Sequence, residues 1–276
     1  MAAWLDCGAR RLDLARPAVM GVLNVTPDSF SDGGRFLDPG IAAEQAARMV
    51  EEGAAIIDVG GESTRPGAAP VPLDEELRRV VPVIERIRHL PAVISVDTTK
   101  PEVMRAALEA GAGLVNDVAA LRSPGALQVV AESGAAVCLM HMLGEPATMQ
   151  RDPTYVDVVT EVKAFLEQRV QACNAAGIGA GRVAIDPGFG FGKTLEHNVA
   201  LLRGLPRLVG TGLPVLVGMS RKSMIGALSG RPVGERLAGG LALALFAIQS
   251  GAAIVRTHDV RPTVDALATW MAVSGG

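Results

Sequence analysis

Aromatic side chains are scarce: Phe, Trp and Tyr together make up 3% of the 276 residues. A core must then be built from Ala, Val, Leu and Ile. Charge is balanced, 26 Lys+Arg against 29 Asp+Glu, for a formal net charge of −3. That argues against the basic surface a nucleic-acid binder needs, although a single basic pocket would be averaged away in the sum. Cysteine is limited to Cys7, Cys138 and Cys173, with no C-x-x-C pair. An odd, scattered set excludes a disulfide framework, points to a reducing compartment and leaves the thiols as small buried apolar groups. The 4 histidines lack metal-ligand spacing, which argues against zinc. The longest apolar run, Leu237–Ile248, has 12 residues, too few to span a bilayer, and reads as a buried helix. The N-terminal MAAWLDCGARRLDL has no apolar stretch of the signal-peptide kind. These absences predict a cytoplasmic protein with neither a membrane nor a nucleic-acid partner.

What is abundant is apolar side chains, 49% of the chain, and turn formers, Gly 32 and Pro 17. The mix suits many short elements. Apolar, β-branched runs recur at Val19–Val25, Ala55–Val59, Ala92–Val96, Gly113–Val115, Ala136–Met140, Arg182–Ile185, Pro214–Val217 and Ala252–Val255. Unbroken apolarity over such lengths is what a parallel strand covered on both faces requires. Helical periodicity fills the intervals, at Ile41–Glu52, Asp74–His89, Glu102–Ala110, Pro124–Ser133, Tyr155–Ala176, Glu196–Leu205, Glu235–Ser250 and Pro262–Met271. Strict alternation implies a parallel sheet with right-handed crossovers, and eight units in this length predict a TIM (β/α)8 barrel as one domain over residues 1–276. A doubly wound open sheet is the alternative. Ala2–Pro17 is predicted to form a short N-terminal hairpin or plug beneath the barrel.

Nearly every predicted strand hands over to a polar residue: Asn24, Asp58, Asp97, Asn116, His141, Asp186, Ser220 and His258. In this fold, active sites gather at the C-terminal strand ends. Any one of them could simply cap the next helix; Asn24, Asp97, Asn116 and Asp186 together suggest convergence. Two carboxylates and an amide match the donor-rich edge of an amino-pyrimidine. Arg256 and His258, two apart on one strand, suit an anion such as phosphate, and Arg256 could also stack on a flat ring. Lys222, in GMSRKSMIG, reads as an anion or substrate ligand beside Ser220, against the alternative of a solvated lysine in a helix's first turn. DPGFGFGKT fails the phosphate-loop spacing because Pro187 stands where glycine is needed, so it reads as a glycine-rich loop over a ligand. The long loops Thr26–Pro39 and Gly60–Leu73 have the length of lids and carry Phe30, Thr64, Arg65 and Pro66. Asn24 with substrate phosphates could hold Mg²⁺, which favours oxygen and keeps waters.

Two of these stretches are long and specific. Val19–Gly34 (VMGVLNVTPDSFSDGG) and Ile57–Gly67 (IDVGGESTRPG) resemble the two loop signatures of the dihydropteroate synthases, and SVDT, Asn116-Asp117, Asp186–Lys193, Gly218–Ile225 and Arg256–Asp259 follow in family order. The resemblance implies a TIM barrel that joins a dihydropterin-methyl diphosphate to 4-aminobenzoate, with Mg²⁺ and as a homodimer. It implies Asp97, Asn116, Met140, Asp186, Phe191, Lys222 and Arg256 around the pterin. Asn24, Thr64, Arg256 and His258 fall at the diphosphate, Asn24 through the metal. Phe30, Arg65, Pro66, Ser220 and Lys222 frame the aminobenzoate. The reacting centre would be served by Asp97, Lys222, Arg256 and His258, with Asp32 an acidic loop residue nearby. The alternatives are a methyltetrahydrofolate-dependent methyltransferase, which would share the pterin pocket, and a catalytically silent paralogue.

Overall fold

The computed structural model describes residues 4–26, 38–63, 67–144 and 148–274. Two short antiparallel strands, β1 (Trp4–Cys7) and β2 (Arg10–Asp13), come first. Eight parallel strands follow: β3 (Ala18–Asn24), β4 (Ile56–Gly60), β5 (Val93–Asp97), β6 (Leu114–Asp117), β7 (Ala136–Met140), β8 (Val183–Asp186), β9 (Leu216–Val217) and β10 (Ile254–Thr257). They are hydrogen-bonded in the order β8-β7-β6-β5-β4-β3-β10-β9. A bridge between Ile185 and Val215, with the Ile185 amide donating to the Pro214 carbonyl at 2.9 Å, joins the two ends. The sheet is therefore a closed (β/α)8 barrel, and the open sheet is set aside.

The helices pack outside it. They are α1 (Pro39–Glu51), α2 (Leu73–Ile87), α3 (Pro101–Ala110), α4 (Ala126–Ser133), α5 (Val158–Ala175), α6 (Leu195–Arg203), α7 (Leu205–Val209), α8 (Ser223–Ser229), α9 (Leu237–Gln249) and α10 (Val260–Ser274). The short α7 and α8 are absent from the sequence-based prediction. Five and seven residues give too few turns for a periodicity to register.

A strand's period of two sorts its side chains into two sets. Ile57, Val59, Ile94, Val96, Val115, Val137, Leu139, Val183, Ile185, Val217 and Val255 point outward and share a core with α-helical Ala42, Ala46, Val80, Val83, Ile84 and Met104. The inward set begins apolar at the barrel floor: Met20, Ile56, Val93, Leu114, Ala136, Leu216 and Ile254 pack with Leu5, Cys7 and Leu12 of the hairpin. The N-terminal hairpin is thus the plug its position predicted. Two residues further along β4, β5, β6 and β10 the inward set becomes polar, with Asp58, Ser95, Asn116 and Arg256.

One expectation fails. Leu237–Ile248 does form a helix, but it is not a buried one: Ala244, Ala247 and Ile248 face the barrel while Leu237 and Phe246 are 41% and 44% exposed. An all-round apolar composition carries no amphipathic signal to separate the covered face from the open one. Among the described residues no helix is long and apolar enough to cross a membrane. All three cysteines are free and buried, and burial pushes Cys7 up to about 12 and Cys173 to about 11, as expected of inert apolar thiols.

Candidate active site

At the C-terminal ends of the strands the inward positions are Asn24, Asp58, Gly60, Ser95, Asp97, Asn116, Met140, Asp186 and Arg256. The register places Asp97 directly beside Asn116, and Met140 beside Asp186. Gly60 lacks the side chain its inward position would otherwise bear. A Cβ there would stand 3.6 Å from the Asp97 Cβ and 3.7 Å from Asn24 Oδ1, so both residues border the space it leaves.

Arg256 ties the site together. Its Nε donates to Asp58 Oδ2 at 2.7 Å and its Nη2 to Asp97 Oδ2 at 2.8 Å. Asp58, fully buried, also accepts from Ser95 Oγ at 2.6 Å and from Asn116 Nδ2 at 3.0 Å. These two carboxylates hold the guanidinium plane in one orientation and keep it protonated beyond the usual arginine range. Asp97 keeps one oxygen, Oδ1, buried without a partner among the described residues. A buried carboxylate oxygen left unmatched is costly, and its position marks where a donor would be welcomed. Burial pushes the Asp97 carboxyl up to about 7, against the pull of Arg256 and helped by the charge of Asp58.

Asp186 accepts from the Gly188 amide at 2.7 Å, and burial raises its pKa against the attraction of Lys222. Lys222 is the residue immediately before α8. Its side chain is half-buried, and the amine donates to the Phe189 carbonyl and lies 4.6 Å from the centre of the Phe191 ring. Desolvation lowers its pKa to about 8. The solvated-lysine alternative is excluded. Phe191 packs with Met140, Val118, Met142 and Met149, an apolar wall beside the carboxylates. His258 and Ser220 also meet: the Ser220 hydroxyl lies 3.2 Å from His258 Nδ1 and accepts from the His258 amide at 3.3 Å. Asp259 pairs with Arg221 at 2.6 Å, which leaves Arg256 to the interior.

The capping alternative fails for these residues. Helix α3 opens on Lys100 with no side-chain cap, so Asp97 does not serve it. Side-chain caps come instead from Asp38, Asp157 and Thr194. Asn24, Asp97, Asn116, Met140, Asp186, Phe191, Lys222 and Arg256 lie at one rim, with Ser220 and His258 beside them. Phe30, Asp32, Thr64, Arg65 and Pro66 lie outside the described residues. The adjoining Glu62 is held by Lys100, which also binds the buried Glu76.

Asp58 was passed over as a site residue in the sequence, although IIDVG carried the signal. Counting in twos from Gly60 puts Asp58 inward, next to Ser95 on β5. The same counting separates Asn116 from Asp117. Asp117 faces outward and spends both oxygens on the amides of Ala119 and Leu121, each at 2.7 Å.

The loop after β8 depends on glycine. Gly188 has φ +68°, and a Cβ there would fall 1.9 Å from the His141 carbonyl oxygen. Gly188→Ala is therefore expected to cost about 3 kcal/mol or more in a urea titration. A loss below about 1 kcal/mol would mean that the loop relaxes freely.

A parallel barrel with carboxylates, an amide, a guanidinium and an amine converging on its C-terminal rim defines an enzyme that grips a flat, donor-bearing heterocycle next to an anion. Comparison with known proteins makes the class specific. The family model described as "Pterin binding enzyme" matches residues 20–258. Dihydropteroate synthase of Escherichia coli K12 is 53% identical over 257 residues, 93% of this chain and 91% of the other. Xanthomonas albilineans dihydropteroate synthase with 4-aminobenzoic acid superposes with a TM-score of 0.94 at 54% identity, covering 100% of both chains. The same enzyme in complex with 7,8-dihydropteroate gives 0.90 at 52% identity over 99% of both. The chain belongs to the pterin binding enzymes and, within them, to the dihydropteroate synthases.

Proposed function

We propose that the protein condenses (7,8-dihydropterin-6-yl)methyl diphosphate with 4-aminobenzoate to give 7,8-dihydropteroate and diphosphate, in folate biosynthesis. The observation that carries this reading is Asp97 Oδ1, the one side-chain oxygen or nitrogen among the described residues that is buried without a hydrogen-bond partner. Asp97 and Asp186 take the N–H donors of the pterin edge, and Asn116 adds an amide. Met140 and Phe191 cover the ring, and Lys222 lies against the same wall. Arg256 presents its fixed plane to the ring and its remaining Nη1 to the anion.

In the reaction the C–O bond breaks, diphosphate leaves with the bonding pair, the pterin ring delocalises the cation left on the methylene carbon, and the aniline nitrogen attacks that carbon. The nitrogen then loses a proton. An aniline is neutral near pH 7, so no strong general base is required. Arg256 and His258 stabilise the charge that develops on the leaving oxygen. Among the described residues no cluster of His, Cys, Asp and Glu could hold a metal. For Mg²⁺, which favours oxygen and keeps waters, Asn24 Oδ1 at the mouth would be the ligand together with diphosphate oxygens, and the ion would neutralise charge on the departing group. Thr64 joins the diphosphate end, while Phe30, Arg65, Pro66 and Ser220 frame the aminobenzoate. We place the enzyme in the cytoplasm, where free thiols persist. It pairs as a homodimer through the open apolar face of α9, where Leu237 and Phe246 are exposed, with Leu228 of α8 close by in sequence.

The direct test is diphosphate release and dihydropteroate formation by the purified chain. Calorimetry adds a sharper one. The reading puts Phe30, Arg65 and Pro66 at the aminobenzoate beside the diphosphate end, so 4-aminobenzoate should bind strongly only with diphosphate and Mg²⁺ present. Equal affinity with and without them would count against ordered binding.

A further inference from the structure

Lys193 is buried, 3% exposed, at the end of the loop that follows β8. Its amine has three near acceptors: the Gly188 carbonyl at 2.9 Å, the Phe191 carbonyl at 3.0 Å and His141 Nδ1 at 3.0 Å, with the His141 carbonyl further off at 3.4 Å. An ammonium has three N–H donors, so each of the three near acceptors receives one. A neutral amine could serve the two carbonyls and accept from His141 Nδ1–H, so only the ammonium donates to all three. With the amine protonated, His141 accepts at Nδ1 and carries its proton on Nε2. Burial holds that imidazole neutral, lowering its pKa to about 3.

These acceptors lie where the site needs rigidity. Gly188 and Phe191 flank the turn of the loop that starts at Asp186, and His141 follows Met140. One ammonium thus joins the ends of β7 and β8 and both sides of the loop. Asn198 and Tyr155 support the same loop from outside, at Gly190 and Gly192. Burying a cation costs desolvation that its hydrogen bonds must offset. The cost is visible in the lysine itself. Desolvation drops its pKa to about 7, opposed by Asp186 and reinforced by Lys222.

We propose that Lys193 is a positioning residue whose buried ammonium fixes the Asp186–Lys193 loop in the shape that sets Phe191 and Asp186 against the pterin. This rests on the pterin reading above and deepens it. The test compares Lys193→Met with wild-type protein in steady-state kinetics. Losing charge-assisted hydrogen bonds from the loop that carries Asp186 and Phe191 should raise KM for the pterin diphosphate about tenfold. KM for 4-aminobenzoate should stay within about twofold and kcat within about threefold. A merely structural lysine would lower activity with Tm and leave the ratio of the two KM values unchanged, and that result overturns the proposal. His141→Phe provides a second arm if Lys193→Met does not fold. It keeps a ring against Phe165, whose centre is 5.0 Å from that of His141, and removes one acceptor. A rise in the pterin KM alone, about threefold, is expected there, and an unchanged value rejects the role. Wild-type turnover is the control: its absence would sink the pterin reading itself, which a null result in the variants alone would not.

Discussion

Arg256→Leu is expected to cost about 3–5 kcal/mol of folding stability and to remove measurable turnover. The substitution leaves Asp58 and Asp97 facing each other inside the barrel without the guanidinium that bonds both, at 2.7 and 2.8 Å. Asp58 is fully buried and would keep only Ser95 and Asn116 as partners. The variant's stability should recover as pH falls, because protonation removes one of the two unpaired charges. Urea unfolding at pH 5 and pH 8 separates this from a simple cavity, which would cost the same at both. Turnover disappears for a different reason. In the proposed reaction the same side chain fixes the ring-binding carboxylate and stabilises the departing diphosphate. An Arg256→Leu protein with ordinary turnover would remove the arginine from the chemistry, whatever its stability.

The barrel could be read from the sequence because its two physical signals are local. Each inner strand needs an unbroken apolar run, and each outer helix needs one covered face. Both leave a mark within a dozen residues. Helix α9 shows the limit: LAGGLALALFAIQ is apolar on every side, so nothing in it tells which side meets the barrel. The site was legible to the extent that its residues end strands, as Asp97, Asn116 and Asp186 do. Asp58 sits in mid-strand, two residues below the mouth, and only the alternation of a strand whose direction is known reveals it. Lys193 was visible merely as part of a glycine-rich loop. Its inward turn follows from Gly188, Gly190 and Gly192 all adopting positive φ, a backbone path that carries the lysine under the loop. The roles of Thr64 and Arg65 come from the loop signature alone, since isolated residues in a Gly- and Pro-rich stretch have no period to read.

Asp97→Asn tests the charge of the site and not its shape. Asp97 uses one oxygen for Arg256 and has the other buried and unmatched. An amide turned to keep the Arg256 bond aims its NH₂ where the pterin's N–H donors must sit, donor against donor. Pterin affinity should fall about 10–100-fold, the worth of one or two charge-assisted hydrogen bonds. The pH dependence carries the sign. In the free protein the carboxyl titrates near 7, against an ordinary 3.8, so the native state holds a proton that the unfolded chain has released. Stability therefore declines as pH rises through that window, and the asparagine variant should lose this part of the slope. Pterin binding favours the ionised carboxylate and expels the proton, so wild-type affinity should climb with pH up to about 7 and that climb should be absent in Asp97→Asn. Calorimetry at pH 5.5, 6.5 and 7.5 would measure both the affinity and the proton released. Parallel curves for the two proteins would show that the carboxylate recognises the ring by shape alone.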